Sequence, residues 1–278
     1  MVICVFALLV LVLLSLNYTM PGTKGDETAS NEYISTDRKP ETMGPSTINR
    51  GQLNQRNYGI KADDDNNIKE DEDSDVEVTE ADADLWLKET VVVIDPGHGG
   101  SDYGTYYGSI YEKDIVLDIS LMLGELLEKS GINVIYTRKE DDYVKLKDRI
   151  SMANEANADL FISVHVNSFE NDSSVNGTET LYFNTGEYGD GGLDSEKLAM
   201  ILQEKLVESL STQDRGIIER PKLAVLRLAE VPAALAELGY LSNASDREKL
   251  MSQEYRQKVS ESMHDAIIKA LRIKYKND

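Results

Sequence analysis

One of the chain's three histidines sits in a glycine-rich turn, Asp95-Pro96-Gly97-His98-Gly99-Gly100, directly after a β-branched run. A second, His165, closes the apolar stretch LFISVHV, and Glu112 opens the segment EKDIVLDIS. Two imidazoles and one carboxylate suit a zinc ion, and three protein ligands leave a fourth position for water, the catalytic arrangement. Gly97, Gly99 and Gly100 let the backbone turn sharply enough to face His98 into a crevice. A lone histidine in such a turn is ordinarily a surface residue. Two of three histidines at equivalent strand ends shift the balance toward a metal. Glu237 ends the apolar segment AALAELG, where a carboxylate is costly to bury unless paired or functional. Apolar surroundings raise its pKa, which suits a general base or acid; a salt bridge to Arg220 or Arg227 is the structural alternative. Ser163 and Asn167 flank His165 and either orient it, touch substrate, or simply form a strand end. Tyr103, Tyr106, Tyr107 and Tyr111 fall between His98 and Glu112, to line a groove or cover the sheet edge. His264, on a helical pattern beside Met263, receives no role. There is no H-E-x-x-H, no cysteine-based zinc pattern and no G-x-S-x-G.

These residues need elements to bring them together. Val91–Asp95, Asn133–Thr137 and Leu160–Val166 read as strands. The apolar spacing predicts helices over Glu112–Lys129, closed by Ser130-Gly131, and over Tyr143–Ala156. Strand, helix, strand, helix, strand with short links means a largely parallel sheet covered by helices. Further on, Thr178–Phe183, Leu223–Leu228 and Ala233–Leu238 read as strands. Asp194–Ser211, with Asp194 as N-cap, and Tyr255–Ile273 read as helices. The expectation is one α/β domain with a twisted, six-stranded sheet and helices on both faces. His98, His165 and Glu112 then share the sheet edge where ligands bind.

The rest of the chain is different in kind. Val2–Leu14 is an unbroken apolar run without a basic flank or a small-residue cleavage site. Residues 1–16 therefore read as an export signal that can stay uncleaved as a membrane anchor. Residues 17–87 read as a disordered acidic linker: twelve acidic residues and one lysine fall between 63 and 84, too little apolar surface to offset ordering entropy. Residues 88–278 form the folded domain. The net charge of −21 argues against nucleic acid as a partner. The single cysteine, Cys4, lies in the apolar segment, so a disulfide framework is excluded.

Five segments in order, VVVIDPGHGGSDYG, IYEKDIVLDIS, TRKEDDYVKLKDRISMAN, DLFISVHVNS and VPAALAELGYLSN, resemble the zinc-dependent N-acetylmuramoyl-L-alanine amidases of the type-3 family over about residues 90–272. The resemblance implies a peptidoglycan hydrolase that cuts the amide between the lactyl group of N-acetylmuramic acid and L-alanine. It implies one Zn2+ held by His98, Glu112 and His165, and Glu237 as the catalytic glutamate. Asn167 and Arg227, the latter closing the stretch R-P-K-L-A-V-L-R, are the positions assigned to substrate contact. Val166, the pair Leu223-Ala224 and Leu228-Ala229-Glu230 depart from the family pattern, which bears on groove shape and substrate preference. The expected setting is the outer face of the cytoplasmic membrane or the wall, as a monomer, with peptidoglycan as partner and a protein activator or targeting partner. The alternatives are a zinc peptidase or deacetylase acting on another wall bond, and a non-catalytic wall-binding regulator.

Overall fold

A computed structural model describes residues 87–184 and 192–276. The apolar N-terminal segment and the acidic linker expected from sequence lie outside the described residues. Among those described, no helix is long and apolar enough to cross a membrane.

The first strand, β1, spans Val91–Pro96, and a two-residue hairpin follows, β2 (Tyr106–Tyr107) and β3 (Ile110–Tyr111). Then come α1 (Glu112–Lys129), β4 (Asn133–Tyr136), α2 (Leu146–Glu155), β5 (Leu160–Asn167) and β6 (Thr178–Tyr182). The second half adds α3 (Ser195–Leu210), β7 (Asp214–Glu219), α4 (Ala224–Arg227), β8 (Ala233–Tyr240), α5 (Ala244–Met251) and α6 (Gln253–Lys276). Six strands form one sheet in the order β4-β1-β5-β8-β6-β7. All neighbours run parallel except β6 against β8.

Period-2 alternation in the central strands sorts the core into two layers. Val92, Ile94, Ile162, Val164, Ala234 and Ala236 pack with α1, α3 and α6 on one face. Val93, Phe161, Leu181 and Leu235 pack on the other, against Ile150 and Ala153 of α2 and Val225 and Leu226 of α4. Helix α1 ends as its Ser-Gly pair requires: Gly131 adopts φ 89°, its N–H donates to Glu128 O, and the Ile132 N–H donates to Leu127 O. Asp194 caps α3 by accepting from the Lys197 N–H at 2.7 Å.

Two assignments change. Leu223–Leu228, expected as a strand, is the short helix α4. A six-residue apolar run does not distinguish strand from buried helix by periodicity, and here one helical turn puts Val225 and Leu226 together into the core. The sixth strand is instead β7, DRGIIE, which the sequence reading passed over. It lies at the sheet edge with a half-exposed pattern, Gly216 at φ 77° and an irregular register against β6. Charged ends and an internal glycine mask a strand that pairs on one side only. Helix α2 also starts three residues later than expected, at Leu146.

Candidate active site

The chain leaves β1 toward β4 on one side and later returns to β5 on the other, so the sheet order reverses at β1. Crevices form at such reversals, outside the carboxyl ends of the strands. His98 lies two residues beyond β1, and His165 lies near the end of β5. Glu112 is the first residue of α1. His98 Nε2 is 3.2 Å from Glu112 Oε2, and His165 Nδ1 is 2.9 Å from Glu112 Oε1. One ligand atom from each residue falls within 4.8 Å of the other two, so the group could hold a metal ion. The imidazole rings meet edge-on with centroids 4.9 Å apart.

Two glycines make this convergence possible. A Cβ on Gly97 would lie 2.3 Å from the His165 ring, and one on Gly104 2.4 Å from Glu112 Oε2. No larger residue fits either place without moving a donor group. His98 itself has φ 58°, a conformation that costs of order 1–3 kcal/mol for a residue with a side chain. Two buried arginines hold the turn there. Arg149 donates to Asp95 Oδ1 at 2.8 Å, to Pro96 O at 2.7 Å and to His98 O at 2.6 Å. Arg138 donates to Pro96 O at 3.0 Å, Gly97 O at 2.7 Å and Lys113 O at 2.9 Å. Burial disfavours the Asp95 charge, but Arg149, Thr137 and Ser163 together hold its carboxyl below the usual range. Ser163 thus serves Asp95, at 2.7 Å.

Glu112 is almost fully buried, and backbone N–H groups of Thr105 and Val166 donate to its two oxygens at 2.8 and 2.9 Å. Burial works against its charge, yet His98, then His165, keep its carboxyl far below the ordinary value. Burial likewise opposes charging of His98, but Glu112 and Asp102 lift it to about 10. Asp102 Oδ2 stands 2.9 Å from His98 Nδ1. The sequence reading missed Asp102, although its place four residues after His98 was the available signal. A carboxylate this close can pair with the protonated ring and would favour turning its other nitrogen toward a metal.

Glu237 belongs to a row. In register, His165 of β5 pairs with Glu237 of β8, and Glu237 pairs with Glu179 of β6. All three lie on the α2/α4 face, as the alternation with Phe161, Leu235 and Leu181 requires. Glu237 is 3% exposed, and its Oε2 has no hydrogen-bond partner among the described residues. Burial, followed by the charges of Glu112 and Glu179, pushes its carboxyl well above the ordinary carboxylate range, with His98 and Arg220 pulling the other way. A divalent cation beside it would pull in the same direction as His98. Glu179, also missed from sequence, accepts from Asn167 Nδ2 at 2.8 Å and has Arg215 Nε at 3.6 Å. Its signal was a carboxylate inside the strand TETLYF, where side chains alternate between two buried faces.

The remaining sequence-derived sites are placed less centrally. Asn167 joins the row, but its amide is engaged at both ends, with Glu179 and with the Ser168 N–H. Arg227 is exposed at the last turn of α4, and no described contact ties it to the His98–Glu112–His165 group. His264 bonds Ser130 and Asp265, away from the site.

The family model for N-acetylmuramoyl-L-alanine amidase matches residues 92–269. The chain is 40% identical over 176 residues to the protein YqiI of Bacillus subtilis, covering 63% of this chain and 82% of that one. It is 35% identical over 177 residues to the N-acetylmuramoyl-L-alanine amidase LytC of the same organism, covering 64% of this chain but 34% of LytC. Among solved structures, the N-acetylmuramoyl-L-alanine amidase AmiC2 of Nostoc punctiforme superposes with a TM-score of 0.61 at 34% identity, over 66% of this chain and 98% of that one. The chain belongs to the N-acetylmuramoyl-L-alanine amidase family.

Proposed function

We propose that this family member hydrolyses the amide bond between the lactyl carbonyl of N-acetylmuramic acid and the L-alanine of the stem peptide, using one Zn2+ held by His98, Glu112 and His165. The observation that carries the reading is the convergence of those three donors near the buried Glu237, whose Oε2 has no hydrogen-bond partner among the described residues. The donor set fits the ion in kind: two imidazoles and a carboxylate are a recurrent catalytic zinc set. Donors about 2.1 Å from one ion in a tetrahedral arrangement stand about 3.4 Å apart; here the two Glu112 oxygens lie 2.9 and 3.2 Å from the two rings, and one donor atom from each residue lies within 4.8 Å of the other two.

The ion supplies Lewis acidity for the scissile carbonyl and lowers the pKa of its bound water. The chain's own residues do the rest. Glu237 takes a proton from the attacking water and delivers it to the departing nitrogen. Burial and the neighbouring Glu112 and Glu179 charges raise its proton affinity above that of an ordinary carboxylate, which suits a group that accepts and returns a proton. Arg138 and Arg149 hold the turn that aims His98, and Asp102 turns the His98 ring. Asn167 and Arg227 are the substrate contacts assigned from sequence and belong to this proposal.

The remaining assignments concern setting. Residues 1–16 are a signal or anchor, residues 17–87 a tether, and residues 88–278 the catalytic domain, acting outside the cytoplasmic membrane as a monomer. Digestion of purified peptidoglycan tests the reaction. New L-alanine amino termini and free lactyl ends are expected, in equal amounts. New termini elsewhere in the stem, or free amino sugars, would assign a peptidase or a deacetylase instead.

A further inference from the structure

The loop that joins His98 to Glu112 reaches both of these proposed ligands before it turns away. Asp102 Oδ2 stands 2.9 Å from His98 Nδ1. The Thr105 N–H donates to Glu112 Oε2 at 2.8 Å, and Thr105 O accepts the Glu112 N–H at 2.9 Å. Beyond Thr105 the chain runs out into the hairpin β2–β3, which Gly108, at φ 61°, folds back so that Tyr107 pairs with Ile110. A two-stranded hairpin is marginal on its own. Whatever grips it from outside therefore bears on where Asp102 and Thr105 sit.

The grip comes from cations on the tyrosine rings. The Tyr111 ring packs between Tyr103, at 5.0 Å, and Tyr106, at 6.3 Å. Lys113 of α1 stands 4.7 Å from the Tyr103 ring centre, itself bonded to Asp141 and Gly100 O. Tyr107, on the outer strand, is met from a distant element: the Arg247 guanidinium of α5 lies 3.6 Å over its ring. The root of Arg247 is fixed. Asn243 caps α5 by accepting from the Ser245 and Asp246 N–H groups, and Asp246 accepts the Tyr240 N–H at 3.0 Å. Arg247 Nη1 donates to Leu241 O at 2.8 Å, and the Leu241 N–H donates to Asn167 O at 2.8 Å. Asn167 lies two residues past His165. One side chain thus ties the hairpin to the strand end that carries the third proposed ligand. Carbonyl partners leave the guanidinium its charge, and no carboxylate pairs with it among the described residues. That charge faces the ring.

We infer that Arg247 over Tyr107 is a latch that positions the His98–Glu112 loop against the metal group. Both are positioning residues, acting through Asp102 and Thr105. The inference rests on the proposed Zn2+ site for the first of its two readouts, and neither readout uses substrate. The first is the Zn2+ affinity of the full chain, by competition with a chromophoric chelator. Tyr107→Leu should weaken it by about fivefold, the whole of a contact worth about 1 kcal/mol. Tyr107→Phe keeps the ring face and should stay within about twofold of the wild type. Arg247→Met keeps the apolar stem and removes the charge; adding Tyr107→Leu to it should cost less than about twofold more, because the pair acts as a unit. The second readout is amide hydrogen exchange in metal-free protein. The Thr105 and Glu112 amides should exchange faster in Tyr107→Leu, with β5 and α6 unchanged. Because the Tyr107 ring is 53% exposed, the variants should fold. Unchanged exchange at Thr105, a Phe variant as weak as Leu, or fully additive losses would overturn the latch. So would faster exchange spread through β5 and α6, which marks a general loss of stability. A wild type that binds no Zn2+ would remove the metal reading, and the exchange rates alone would then decide the latch.

Discussion

The turn after β1 and the end of β8 meet at the same sheet rim but are built in opposite ways. The backbone of Pro96, Gly97 and His98 is grasped by two arginine forks, and Asp95 beneath it is bonded by Arg149, Thr137 and Ser163. Glu237 sits in a strand whose eight residues are all buried, with one carboxylate oxygen unbonded among the described residues. One region spends many polar contacts to hold a histidine in a costly backbone conformation. The other withholds them and leaves a carboxylate with a raised proton affinity. Ligands need fixed direction; a proton carrier needs an affinity near that of its task.

The contrast can be broken from either side. Glu237→Gln should lower kcat by roughly 10²–10⁴-fold while leaving metal content unchanged, because only proton transfer is lost; loss of metal along with rate would make Glu237 a ligand instead. Arg149→Met strips a buried carboxylate of its partner and frees the His98 carbonyl. Breaking such a pair costs about 3–5 kcal/mol, read as a lower midpoint in denaturant and weaker metal retention. A stability unchanged by that variant would show the turn to be held by other means. Asp102→Asn keeps the shape but weakens the grip on His98, and metal affinity should fall by about 10–100-fold with little change in melting temperature.

The smallest expected effect concerns stability and pH. Glu237 has a folded-state pKa raised above its unfolded value, so between the two the native state binds more protons than the unfolded chain, and stability falls as pH rises through that window. Gln has no such loss. In metal-free protein the melting temperature of Glu237→Gln should therefore exceed that of the wild type, by about 2–4 °C for each kcal/mol relieved. The gap should widen as pH rises above the ordinary carboxylate range. A gap that is constant with pH would assign the gain to packing.

The same contrast explains what could be read from sequence. His98, His165 and Glu112 were legible because each marks the end or start of a strongly patterned element at the reversing edge of a parallel sheet. Glu237 was legible as a charge at the end of an apolar run. Asp102 and Glu179 were not singled out, because a carboxylate in a polar turn or an alternating strand looks solvated until its neighbours across the sheet are known. Arg138 and Arg149 lie in the segment TRKEDDYVKLKDRI, where charges crowd and nothing local says which two turn inward. The short helix α4 was read as a strand, and the edge strand β7 was passed over, for a related reason. Burial of Val225 and Leu226, and the exposure of one side of β7, are set by distant partners rather than by local pattern.

The central claim is that His98, Glu112 and His165 together hold the ion on which hydrolysis depends. The most direct test is amide cleavage on purified peptidoglycan after exhaustive chelation, followed by stepwise return of Zn2+. The account predicts no release of L-alanine termini from the chelated protein and recovery complete at one equivalent, with no recovery for Glu112→Ala. Full activity after chelation, or a Glu112→Ala protein that recovers like the wild type, would contradict it.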